Sequence, residues 1–221
     1  MTTPAELQTA LTTATNNGQS DTILVAQGTY VGNFFYSAIA GENYDLTLEG
    51  DWNADFTTWV LAPGNTILDG NQAGTVLYIS TSTVSASGSI TVEGFTIRNG
   101  FEASDGGGIF LSAFPPGTVW LNRNIIEENE TGDTGGGFIL YKDDSVTKTG
   151  GPIHITNNII RNNVAASGQD ATSGGGRINT ANSLVVSNNL FYGNVVGGNP
   201  SFYGGGGEGY MCPCSVEMSI S

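Results

Sequence analysis

Ile153-His154-Ile155-Thr156-Asn157-Asn158-Ile159-Ile160-Arg161-Asn162-Asn163 decides how this chain folds, because the chain repeats it with variations. The related copies are ITVEGFTIRNG at 90–100, VWLNRNIIEEN at 119–129 and LVVSNNLFYGN at 184–194, and a fifth begins as VEMSI at 216–220. Val92, Leu121, Ile155, Val186 and Met218 are successive tokens of one position, separated by 29, 34, 31 and 32 residues. A period of this size with variable spacing marks a solenoid whose insertions sit in loops. Apolar and polar residues alternate within each copy, as at Val119 and Leu121 or Ile153 and Ile155, which is a strand period and not a helix period. Each copy therefore reads as one coil.

Between the copies lie Gly106-Gly107-Gly108, Gly135-Gly136-Gly137, Gly174-Gly175-Gly176 and a run from Gly204 to Gly207. Glycine lets the backbone turn sharply or approach the next coil closely, at an entropic cost that stacking must offset. Asn124, Asn158 and Asn189 recur at one corner and Asn129, Asn163 and Asn194 at another, so each set predicts a ladder of amides bonded to the coils above and below. Strand, turn, glycine turn and strand about one axis describe an all-β, right-handed parallel β-helix. We read residues 1–221 as a single domain: an N-terminal cap at 1–20, irregular coils at 21–89, and regular repeats at 90–221, truncated in the last coil.

The cap is expected to be a short helix. Thr3 and Glu6 have capping-box spacing, Pro4 suits the first helical position, and Leu7, Ala10, Leu11 and Ala14 form one apolar stripe ended by Gly18. Such a helix suits a lid over the open end of the core. Strands are expected at 22–26, 45–49, 66–69 and 75–79, with Asn33-Phe34-Phe35-Tyr36 and the segment from Asp51 to Trp59 as aromatic loops packing across the first coils. Trp52 and Trp59 are read as structural, with a sugar contact as the alternative.

The chain has 20 acidic against 6 basic residues, a net charge of -14, which excludes nucleic acid as a partner because no basic stripe exists to meet phosphates. The only cysteines, Cys212 and Cys214, are one residue apart and give no disulfide framework; a metal there would need further soft ligands, and His154 is the only histidine. No apolar run approaches ~18 residues, so no transmembrane span is expected in this segment. The amino terminus also lacks the basic and apolar regions of a secretory signal.

The runs FTIRNG at 95–100, GGGIF at 106–110 and NNIIRNN at 157–163, with DTILVAQGTY at 21–30 and TILDGN at 66–71, resemble the right-handed parallel β-helix repeat proteins of the pectate-lyase-like superfamily. Within it they most resemble secreted surface proteins related to polymorphic outer-membrane proteins. That resemblance implies an extracellular or bacterial cell-surface setting, and an exported family implies a segment upstream of this one. It also implies polysaccharide or host and cell-surface glycans as partners, and two functions. The first is a non-catalytic stalk or adhesive, glycan-binding surface. The second is a polysaccharide lyase or glycoside hydrolase acting on acidic polysaccharide.

A lyase needs carboxylates for calcium and a basic group for the proton, and a hydrolase needs carboxylates at an open cleft. The outward strand positions Thr91, Glu93, Trp120, Asn122, His154, Thr156, Val185 and Ser187 contain Glu93 as their lone acid, so no catalytic set is assigned. The enzyme alternative falls on Asp143, Asp144 and Lys148, which with Lys142 form the densest charge cluster in the chain, otherwise read as a solvated loop.

No cofactor is required, but calcium is a candidate. Asp105, Asp133 and Asp170, with Glu102 and Glu130, should meet at one edge between the asparagine corner and the glycine triplet, where a hard dication would relieve their repulsion. After the triplets come Ile109, Phe138, Arg177 and Glu208. Uniform register would pair Arg177 with Glu208; a one-residue slip would instead put Ile178 at the apolar position. Val216, Met218 and Ile220 start a coil without its asparagine corner, which predicts continuation of the β-helix or self-association at the C-terminal edge.

Overall fold

The structure, a computed structural model, describes residues 1–60, 62–81, 87–114, 116–142, 151–166, 173–180, 183–197 and 216–217. It is a right-handed parallel β-helix of stacked sheets, closed at its amino end by one helix. The first sheet contains Asp21–Ala26, Leu46–Trp52, Ile90–Glu93, Val119–Asn122, Ile153–Thr156, Leu184–Ser187 and Val216–Glu217, in that order. The second runs from Gly28–Val31 through Thr66–Asp69, Thr96–Arg98, Ile125–Glu127 and Ile159–Arg161 to Leu190–Tyr192. The third joins Phe34–Ser37, Leu77–Ser80, Ile109–Ala113, Phe138–Lys142 and Gly176–Thr180. Two-residue strands Phe101–Glu102, Glu130–Thr131, Val164–Ala165 and Val195–Val196 form the fourth. The described strands all pair in parallel, because each coil returns to its start before pairing.

Alternation places Leu48, Val92, Leu121 and Ile155 inside from the first sheet and Leu68, Ile97, Ile126 and Ile160 inside from the second, in one core that extends from Leu7 to Leu184. The buried asparagines close two corners. Asn158 donates its Nδ2 to the Leu121 carbonyl and to Asn189 Oδ1, both at 2.9 Å, while its Oδ1 accepts the Asn124 amide at 2.9 Å. Asn163 does the same between Asn129 and Asn194. Beside the ladders the backbone turns left-handed, at Gly94, Arg123, Asn157 and Asn188 on one corner and at Asn99, Glu128, Asn162 and Gly193 on the other. Glycine and asparagine suit that conformation; Arg123 and Glu128 do not.

The helix Pro4–Ala14 carries the full Thr3–Glu6 capping box and buries Leu7, Leu11 and Ala14. Its Gln8 also behaves as a piece of strand: Oε1 accepts the Phe35 amide and Nε2 donates to the Phe35 carbonyl, each at 2.9 Å, so a side-chain amide covers the edge of the third sheet.

Two expectations are corrected. Asn33–Tyr36 is not a loop, because Phe34 and Tyr36 alternate inward on the strand Phe34–Ser37 and only Phe35 stays exposed. Nor does uniform register hold at the glycine triplets. Ile109 pairs with Phe138, but Phe138 pairs with Gly176 and Ile139 with Arg177, so Arg177 takes the outward column and Ile178 follows Leu140 inward. Glu208, its expected partner, lies outside the described residues. At the far end Leu184 pairs with Val216 and Val185 with Glu217, which keeps the register that the fifth copy implies.

Candidate functional site on the first sheet

Because neighbouring coils are in register, outward residues of the first sheet line up in two columns. One reads Thr22, Thr47, Thr91, Trp120, His154 and Val185; the other reads Leu24, Glu49, Glu93, Asn122, Thr156 and Ser187. Glu93 is therefore not a lone acid, since Glu49 pairs with it across the adjacent strands. The first half of the chain lacks the asparagine motif that would have set this register from sequence.

Trp120 and His154 stack with ring centroids 3.6 Å apart and planes 3° apart. That geometry is face-to-face along the solenoid axis, so the imidazole covers one face of the indole. The column's next residue on the other side is Thr91, too small to cover the second face, and Trp120 remains 38% exposed. Burial and then the Lys142 charge hold the His154 pKa below its ordinary value, so the stacked ring is neutral at pH 7.

The second column is braced. Glu93 Oε2 accepts from Asn122 Nδ2 and from Arg123 Nη2, both at 2.7 Å. Asn122 Oδ1 accepts in turn from Thr156 Oγ1 and Asn157 Nδ2, each at 2.9 Å. The Arg123 guanidinium lies 4.7 Å from the Trp59 ring centre, and Trp59 stacks on Trp52 at 6.3 Å and donates Nε1 to the Gly50 carbonyl. Trp59 is thereby tied to Trp52, to the Gly50 carbonyl and to the Arg123 guanidinium.

Other surface groups are similarly engaged. On the third sheet Phe35, Tyr78 and Phe110 stack at 4.7 and 4.8 Å, with Tyr78 between the other two and Phe35, on the end strand, 51% exposed. On the second sheet Asp69, Arg98, Glu127 and Arg161 alternate in one column, with pairs Arg98–Asp69 at 2.9 Å and Arg161–Glu127 at 2.5 Å. This ladder is readable in the repeats once their register is known.

Lys142 belongs not to a solvated loop but to the end of the strand Phe138–Lys142, where it is buried and its Nζ donates to the carbonyls of Gly117 and Gly151. Asp143, Asp144, Lys148 and Asp170 lie outside the described residues. Asp105 and Asp133 sit on neighbouring coils, since the Asp133 amide donates to the Ser104 carbonyl and the Gly106 amide to that of Thr134. Asp105 Oδ2 accepts the Tyr141 hydroxyl at 3.0 Å; burial first, then Asp105, pushes that tyrosine's pKa up to about 12. Among the described residues, no group of three His, Cys, Asp or Glu side chains converges on a metal position.

Comparison with family models, with curated proteins and with solved structures finds no match to this chain. Among the described residues no helix is long and apolar enough to cross a membrane.

Proposed function

We propose that the chain is a non-catalytic β-helical segment of a secreted or cell-surface protein, and that the outer face of its first sheet binds glycan. The observation that carries this reading is the one-sided stack of Trp120. An indole with one face packed and the other open offers a flat apolar surface to the C–H face of a sugar ring. Carboxylate, amide and hydroxyl groups along the neighbouring column supply hydrogen-bond partners on a rigid scaffold. The likeness of the coils to pectate-lyase-like proteins and to outer-membrane-related surface proteins supports an exported setting.

The test is binding without turnover. Soluble polysaccharides are cast into native gels and the retardation of the parent is compared with that of Trp120→Ala, while new reducing ends and unsaturated products are assayed in parallel. Retardation that is lost in Trp120→Ala, with no product, is the expected result. Sustained turnover abolished by Asp143→Ala or Lys148→Ala would replace this reading with the lyase or hydrolase one.

A further inference from the structure

We infer that the glycan held on this face is a neutral pyranose polymer, recognised through its hydroxyl donors, and not a polyuronate. The inference rests on the glycan reading above and adds the class of ligand. A ring stacked on the open face of Trp120 stands over Thr91, with Glu93 on the same strand and Glu49 one coil further on. Carboxylates accept hydrogen bonds and cannot donate them; Glu93 already accepts from Asn122 and Arg123, so it is chiefly Glu49 that favours a ligand that donates. Sugar hydroxyls do; a uronate carboxylate does not, and it brings a like charge to an already acidic chain of net charge -14.

The described basic groups are committed elsewhere. Arg123, at the end of this sheet, is bonded to Glu93 and packed on Trp59. Arg98 and Arg161 are paired with Asp69 and Glu127 on the second sheet, Arg177 is on the third, and Lys142 is buried against two backbone carbonyls. His154 presents a neutral ring. Thr22, Thr47 and Thr91 continue the platform with hydroxyls that can both donate and accept. Nothing described on this face neutralises a polyanion.

The experiment is calorimetric titration of the full chain with cellohexaose, mannohexaose and hexagalacturonate, each with EDTA and with millimolar calcium, at low salt and at about 0.15 M. A neutral hexasaccharide should bind equally in all four conditions, and hexagalacturonate at least about tenfold more weakly at low salt. Trp120→Ala should weaken neutral binding by about three- to tenfold. Thr91→Phe should abolish it by covering the open face, with no loss of melting temperature, which separates a blocked site from a damaged fold. Glu49→Gln should narrow the gap between neutral and acidic ligands at low salt. Tighter or calcium-dependent binding of hexagalacturonate, still lost in Trp120→Ala, would overturn the neutral class while leaving the glycan face standing. No binding of any of the three would remove both.

Discussion

Phe138 occupies the space that a side chain on Gly176 would need. The two are paired across adjacent strands, and a methyl added at Gly176 would lie 2.2 Å from Phe138 Cε1. The third glycine of that triplet therefore does a different job from Gly108 and Gly137, whose added methyls would meet carbonyl oxygens of the next coil at 2.3 and 2.2 Å. Gly176→Ala should destabilise the protein by about 1–3 kcal/mol through overpacking. Phe138→Leu should relieve part of that penalty in the double variant, and strictly additive costs in chemical denaturation would contradict the contact.

Asn158 sits at the middle of its ladder, 1% exposed, and its amide bonds coils on both sides. Asn158→Leu removes those bonds and leaves the Leu121 carbonyl and the Asn124 amide buried without them. A loss of about 3 kcal/mol is expected. A melting temperature within error of the parent would refute the ladder's contribution.

Asp51 is fully buried in a left-handed conformation, and burial pushes its carboxyl pKa up to about 6, with the Ala62 amide offsetting only part. A carboxyl raised in the folded state favours folding while protonated, so its contribution is complete below the unfolded value of 3.8 and is lost as pH rises through about 6. Relative to the parent, Asp51→Asn should gain about 1–3 kcal/mol between pH 4 and pH 7. A stability difference that does not change with pH across that window would count against the assignment.

His154 shifts the other way. Its folded pKa is lowered, so the neutral ring stabilises the fold above the ordinary value of 6.5 and that contribution is lost as pH falls through the lower folded value. Because it is the only histidine, its imidazole resonances in an NMR titration are unambiguous. The midpoint should fall below that of an unfolded control and rise towards it in Trp120→Ala, which opens the ring to water. An unshifted midpoint in the parent would show that the stack does not bury the ring.

The repeated apolar tokens and the recurring asparagines made the second half of the solenoid readable before any coordinates. The amino-terminal cap was readable too, because capping-box spacing and a helical stripe are local signals. The first coils were harder. Phe34–Ser37 is a strand without the glycine triplet that announces its counterparts in the repeats, and the pairing of Glu49 with Glu93 follows from a register that short, irregular strands do not specify on their own. Arg123 was hidden for another reason: an arginine at a left-handed corner gains its contacts from Trp59, 64 positions earlier (123 minus 59), by way of a loop folded back over the corner.

Sequence alone determined the all-β solenoid, its period, its inward columns and its amide ladders, because each depends on residue type at a spacing of a few positions and is repeated coil after coil. Tertiary structure alone decided which outward residues meet. The slip that pairs Phe138 with Gly176, the burial of Lys142 and the single open face of Trp120 all depend on how one coil sits on the next. A one-residue shift reverses which side chains face water, and the difference between the two registers lies in packing such as a phenyl ring over a glycine, which no single stretch of the chain contains.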